Sequence, residues 1–434
     1  MIQADNPAQA SPPQPPAWVA EQIAFIIARC LRPDGLLGTE LDGELNLVNA
    51  KPLVCDLGDV LPLLLHFGEE EFCREQIRLA QGFLDGGLYK EDGQIRLFLN
   101  HDWLLGLVEL GRELEDRAMI DMAIEAVDTF ERRFFCDDFL TNLPLQATSP
   151  RSWPGPASPF NLGYVELWLA LREVTGDDRY LGLCRRLTAR WIETADFREH
   201  GIFSRLHATR PLWLNVPLQA LARARAFLFK DNTNAVWSLL DLAKCDPGEP
   251  LWEDALAKWL EGFERHFAND GLPWLHLKRD FQGADRSLNG AFAAIDLLTD
   301  IHDHTQWAEA ERLARLVADR WLEQRWKNGL FPAAMGQAHN HLDANTDMAV
   351  ALMKLAGSTG QTRYETAALE TRDALLAYHG GPDGFRLAVA EDGRPVSERR
   401  IVKYQGLVLK LALLPDSAEA LARDEAILRL LRDR

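Results

Sequence analysis

Two aspartates stand where apolar runs begin, Asp56 in Cys55-Asp56-Leu57-Gly58-Asp59 and Asp102 in Asn100-His101-Asp102-Trp103. Paired carboxylates can cleave a glycosidic bond, one giving a proton to the leaving oxygen and the other acting as base or nucleophile. Burial of Asp102 beside Trp103 would favour its neutral form and so create the acid. Asp343 and Asp347 lie four apart, on one face if both are helical, and form a rival pair. His101 and His341 could instead move protons as bases. Tyr404, next to Lys403 and close to Arg400, suits proton abstraction beside a bound carboxylate. That would be epimerase or lyase chemistry. His339, His341 and Asp343 are residue types that ligate zinc or manganese, but an H-x-H spacing alone is a weak metal signal. Neither a metal nor a cofactor is expected.

Further polar and aromatic residues cluster at the starts of the other apolar runs. They are Trp103, Trp153, Asn161, Tyr164, Asn215, Arg286, Asn289, Asp343, Asp347, Arg400 and Lys403. Aromatic faces stack on sugar rings, while amides, carboxylates and cations take hydroxyl or carboxylate groups, so these are candidate substrate-binding residues. Arg286, Arg400 and Lys403 are cations at apolar helix starts and hint at an anionic group such as a uronic acid. The bland account is that Asp and Asn at helix starts are caps and that the arginines pair with Asp285 or Glu398.

What must position these residues is a repeat. Thr175-Gly176-Asp-Asp-Arg179-Tyr180 is matched by Thr359-Gly360-Gln-Thr-Arg363-Tyr364, each leading from an apolar run into an amphipathic one. A glycine followed by Leu, Ile or Phe closes most amphipathic runs, as at Gly35, Gly87, Gly201, Gly271, Gly329 and Gly384. Such a glycine supplies the left-handed turn that ends a helix or tight loop. Amphipathic runs are expected near 18–31, 69–84, 117–134, 178–195, 250–267, 306–325 and 361–379. Runs apolar on nearly all sides are expected near 55–66, 102–114, 161–174, 214–229, 287–299, 344–357 and 403–414. A helix apolar all round must be buried on all sides, so the alternation implies two concentric layers. The expected fold is all-α, an (α/α)6 or (α/α)7 toroid with short β-hairpins in loops. An open solenoid would need polar caps at both ends, and Leu407–Leu414 is uncapped. The Pro-rich residues 1–17 read as a flexible lead-in and 18–434 as one toroid domain.

Composition narrows the partners. Acidic residues outnumber basic ones, 65 to 47, for a formal charge of -18. That surface repels nucleic acid and anionic membranes. There is no basic stretch leading into an apolar one at the N-terminus, and no run of about 18 apolar residues. The six cysteines show no CxxC and read as free thiols of a reducing compartment. The expectation is a cytoplasmic protein acting on a small saccharide, with a homodimer as the default assembly. No dinucleotide, P-loop or nucleophile-elbow motif occurs.

With the repeat laid out, the chain resembles the six-hairpin glycosidase superfamily over roughly residues 18–415. Cys55-Asp56-Leu57-Gly58 resembles the His-Asp-[Ile/Leu]-Gly stretch of unsaturated glucuronyl hydrolases, with Cys55 in place of His and Asp59 where an aromatic is usual. The resemblance implies that Asp56 and Asp102 are a catalytic pair, the second entering from the next inner helix. The sugar 2-epimerases, also similar, imply paired histidines, for which His101 and His341 are the counterparts. Three functions follow: a glycoside hydrolase using paired aspartates, an epimerase or lyase working by proton abstraction, and a non-catalytic helical scaffold.

Overall fold

The structure is a computed structural model, described for residues 15–48, 51–144, 156–209, 212–221 and 226–432. In chain order its helices are α1 (Ala17–Arg29), α2 (Leu57–His66), α3 (Glu70–Ala80), α4 (His101–Glu113), α5 (Arg117–Phe134), α6 (Tyr164–Thr175) and α7 (Arg179–Ile192). Then come α8 (Ala195–His200), α9 (Leu212–Leu221), α10 (Phe229–Cys245), α11 (Leu251–Gly262), α12 (Leu288–Thr305), α13 (Ala308–Leu322), α14 (Leu342–Thr359) and α15 (Thr362–Tyr378). The chain finishes with α16 (Val402–Leu407), α17 (Lys410–Leu413), α18 (Ala418–Ala422) and α19 (Glu425–Leu431).

Seven inner helices close a ring among the described residues. α2 packs on α4, α4 on α6, α6 on α10, α10 on α12, α12 on α14, α14 on α16, and α16 back on α2. The outer layer is α3, α5, α7, α11, α13 and α15, each packed on the inner helix that precedes it, while α1 packs on α16. The seventh pair therefore joins the two ends of the ring. Gln22 Nε2 donates to the Gln405 carbonyl at 2.9 Å, and Glu40–Leu41 pairs antiparallel with Arg400–Ile401. The fold is an α/α toroid, here with seven pairs. Short antiparallel hairpins sit in the linkers that lead into the inner helices.

The layers follow from the residues. Outer helices such as α5 bury one stripe (Met119, Ala123, Ala126, Val127, Phe130) and expose the other face. Inner helices such as α14 are buried almost throughout, from Leu342 to Ala356. Where two inner helices touch most closely the side chain is missing: a Cβ on Gly58 would fall on the Asp102 carbonyl, and one on Gly106 on the Cα of Gly58.

The repeated glycine has a partner. After Gly87, Gly201, Gly329 and Gly384, all at positive φ, the chain is held by an amide from the next inner helix. Asn100 accepts from Tyr89 N at 2.5 Å, Asn232 from Phe203 N at 2.8 Å, Asn345 from Phe331 N at 2.8 Å and Gln405 from Phe385 N at 2.8 Å. Each amide also donates to the carbonyl of the same residue. Backbone polar groups in a buried linker must be paired, and one side chain pairs two of them.

One inner helix differs from expectation. The fourth is α10, Phe229–Cys245, not 214–229. Residues 212–221 form the short α9, with Leu212, Trp213 and Val216 exposed. α10 opens on the polar stretch Lys230-Asp-Asn-Thr-Asn234 and so lacks the apolar start of the other inner helices. Most of these residues are nevertheless buried, because Asn232 donates to the Phe203 and Leu228 carbonyls and Thr233 to that of Lys230. Among the described residues no helix is long and apolar enough to cross a membrane. The six cysteines are unpaired; Cys30, Cys73 and Cys184 are buried and Cys245 is exposed.

Candidate active site

All inner helices start at the same end of the ring, called the front here. Close approach at Gly58 and Gly106 sets the first turns of α2 and α4 side by side, and α16 brings Lys403 from the far end of the chain. The result is a compact cluster. Lys403 Nζ lies 3.1 Å from Asp56 Oδ1 and 2.6 Å from Asp59 Oδ2. Carboxylate oxygens of Asp56, Asp59 and Asp102 all fall within 4.8 Å of one another.

His101 stands next to this cluster. Its Nδ1 is 2.9 Å from Asp102 Oδ1 and its Nε2 is 2.8 Å from the Gly163 carbonyl. A carbonyl only accepts, so Nε2 carries a proton. A carboxylate facing Nδ1 calls for a second one, which makes the ring an imidazolium whenever Asp102 is ionised. Burial works to lower the His101 pKa, but the bond to Asp102 and the charges of Asp102 and Glu166 raise it above the usual histidine range. Burial likewise works against the Asp102 carboxylate, yet the His101 bond and the Lys403 charge hold it well below the ordinary value. Asp59 goes the other way: burial and the Asp102 charge push it up to about 7, Lys403 notwithstanding. Lys403 is half-buried, which works against its charge, but the three carboxylates keep it firmly protonated.

Counting charges, three carboxylates face two cations, Lys403 and His101. Like charges this close resist full ionisation, so the cluster retains a proton near neutral pH while Asp102 stays ionised. The same three carboxylates are the described residues placed to hold a divalent cation; the Lys403 ammonium already supplies positive charge to two of them.

The cluster extends along the rim to α14. Tyr404, next to Lys403, lies beside Asp343, and burial followed by the Asp343 charge raises its phenol pKa. His341 is half-buried, and burial lowers its pKa, with the neighbouring His339 adding to the effect against Asp343. The His339 and His341 rings lie 5.3 Å apart, centre to centre. Asp56, Asp102, His101, Lys403, Tyr404, Asp343 and His341 thus share one arc of the front rim.

The other candidates lie elsewhere or are engaged in the wall. Trp103 is fully buried with Nε1 3.4 Å from the Gly87 carbonyl. Asn161 Nδ2 donates to the Leu140 carbonyl and to Asn142 Oδ1, both at 3.0 Å. Tyr164 OH donates to the Leu97 carbonyl at 2.7 Å. Arg286 bonds Asp270 at 2.5 Å and lies over the Trp274 ring. Arg400 is buried against the Asp383 and Glu398 carbonyls. Asp347 is paired with Lys410 at 3.1 Å. Asn289 is exposed at the start of α12. Trp153 lies outside the described residues, as does the side chain of Asn215, whose backbone belongs to α9.

Sequence reasoning passed over three groups. Asp59 was visible as the second aspartate of Asp56-Leu-Gly-Asp59 but reads as a helix cap. Lys230 and Asp231 were hidden by the misplaced fourth inner helix. Asp231 is buried in the first turn of α10, and burial pushes it up to about 7 despite Arg205 and Lys230. Lys230 is exposed, and its charge is felt at Asp102.

No family model matches the chain, and no curated protein matches it in sequence. Solved structures do match in fold. A cellobiose 2-epimerase from Bacillus thermoamylovorans superposes with TM-score 0.57 at 12% identity, over 90% of this chain and 95% of that one. A D-mannose isomerase gives 0.55 at 9% identity, over 91% and 94%. An unsaturated glucuronyl hydrolase from Bacillus sp. GL1, responsible for degradation of glycosaminoglycan, gives 0.51 at 14% identity, over 82% and 94%. The α/α toroid fold is the one these solved structures share, as the sequence resemblance implied. Hydrolases and epimerases both occur among these neighbours.

Proposed function

We propose that the protein is a carbohydrate-active enzyme that hydrolyses a glycosidic bond in a short saccharide at the front rim. The observation that carries this reading is the Asp56–Asp59–Asp102 cluster around Lys403, next to a His101 whose ring nitrogens both face oxygen acceptors. A doubly engaged imidazolium is a poor base, whereas a carboxylate group that keeps one proton beside an ionised Asp102 has both parts a glycosidase needs. The proton passes from the cluster through the solvent-facing Asp56 to the leaving oxygen as the C–O bond breaks. Asp102 attacks the sugar carbon to form a glycosyl ester, and water, giving its proton back to the cluster, then displaces Asp102 from that carbon. Carboxylate oxygens within 4.8 Å are closer than the roughly 6.5–9.5 Å that leaves room for water in an inverting pair. Retained anomeric configuration is the expected outcome, readable by proton NMR of the first-formed product.

Arg286, Arg400 and Lys403 are all engaged by protein oxygens, so this reading does not require an anionic substrate; Lys230 is an exposed cation whose charge reaches Asp102 and that could meet one. The test is reducing-end release from a panel of neutral and uronic acid-containing disaccharides, with Asp102→Asn beside the parent. The variant is expected to lose about 10²–10⁴ in rate.

The second reading is epimerisation by proton abstraction, favoured by Tyr404 standing beside Asp343 and by a half-buried His341 kept neutral. It matches what the epimerase and isomerase neighbours are named for. Solvent deuterium entering a sugar carbon without cleavage would select it over hydrolysis.

A further inference from the structure

At the rear, the C-terminal end of the inner helices, the chain returns to the ring. α18 packs on α14, and α19 packs on α17 and α18. Leu431 is buried, and the next residue, Arg432, reaches between inner helices. Its guanidinium lies 3.2 Å from Glu166 Oε1 on α6 and 3.0 Å from Asp241 Oδ2 on α10. These three side chains share a small cavity of about 20 Å³ with His101, Gly163, Asn234, Trp237 and Ser238. That is room for about one water molecule in a polar setting. His101 is thus common to two environments. Its front side holds Asp102, and beyond Asp102 lie Asp56, Asp59, Lys403 and Lys230. Its rear side looks across the cavity to Glu166, Asp241 and Arg432.

We propose that Arg432 is a positioning residue for the front site: it neutralises Glu166 and Asp241 behind His101 and so leaves Asp102 as the carboxylate that governs the imidazolium. The argument is one of charge and distance. With Arg432 in place the rear carboxylates are paired. Without it, the buried Asp241 and the half-buried Glu166 face the same ring across a cavity one water wide, and they compete with Asp102 for its charge. The device couples the chain's end to the first turn of α4. Its importance for turnover rests on the reading that the front cluster is the working site, but the coupling itself does not.

The test is an NMR titration of the His101 side chain in the full-length protein, with Arg432→Met, Arg432→Lys and Glu166→Gln beside the parent. Arg432→Met should move the His101 midpoint to higher pH, Arg432→Lys should bring it back toward the parent value, and Glu166→Gln should move it lower. An unchanged midpoint in a folded Arg432→Met protein overturns the proposal and leaves Arg432 a structural plug. If Arg432→Met does not fold, Glu166→Gln decides alone, and a midpoint equal to the parent's overturns the coupling. Because no substrate is used, failure here is distinct from failure of the hydrolase reading.

Discussion

Gly58 of α2 and Gly106 of α4 meet backbone to backbone, with no space for a Cβ on either. This contact carries Asp56 and Asp59 to within reach of Asp102. Gly106→Ala is expected to wedge the helices apart, costing about 1–3 kcal/mol as an overpacked core does. Activity should fall by more than the loss of folded protein explains, because Asp102 moves relative to its partners. A thermal melt and a rate measured on the folded fraction check both parts.

The amide clamps are expected to matter for stability and not for chemistry. Asn345→Ala removes the bonds to Phe331 N and to the carbonyls of Phe331 and His341. Leaving buried backbone groups unpaired should cost roughly 2–4 kcal/mol. Denaturant unfolding should show that loss, while the rate constant of the protein that remains folded stays near the parent value.

How much of this was legible beforehand follows from the range of the interactions. Outer helices such as α5 and α13 declare themselves locally, because one apolar stripe against one charged face is a short-range pattern. The ring itself follows from that alternation. Lys403 and Asp56, in contrast, lie at opposite ends of the chain, and no spacing rule brings them together; only closure of α16 on α2 does. Tyr164 looked like a binding group because the Leu97 carbonyl it bonds comes from another linker; Arg286 and Arg400 did so because their partners, Asp270 and the Asp383 and Glu398 carbonyls, are brought back to them only by the folding of long linkers. α10 was missed since its opening polar residues are buried by bonding to backbone, including that of Phe203 in the preceding linker, whereas α9, more apolar, is not one of the ring's inner helices.

Asp231 should leave a mark on the pH dependence of stability. Its folded-state pKa is raised to about 7 by burial, against Arg205 and Lys230. The folded state therefore holds a proton that the unfolded chain has already lost. Stability from this group is full below the unfolded value, declines as pH rises from about 4 to 7, and is gone above. Asp231→Asn removes that slope. Relative to the parent, the variant should gain roughly 2–4 kcal/mol between pH 5 and pH 8, measured by urea unfolding at the two pH values. A constant difference would mean that Asp231 titrates normally.

Asp59 should be tested through the pH profile of the reaction. A proton held in the front cluster up to about pH 7 implies an alkaline limb to the rate near that pH. Asp59→Asn should displace or abolish that limb, whereas Asp231→Asn should leave it in place.

The most direct test of the front-rim account is cleavage of a disaccharide panel by the parent protein and by Asp102→Asn, followed as reducing-end release in deuterated water. The account expects cleavage by the parent, a loss of about 10²–10⁴ in the folded variant, and no deuterium on any sugar carbon. Cleavage undiminished in Asp102→Asn, or deuterium entering an uncleaved sugar, would contradict it.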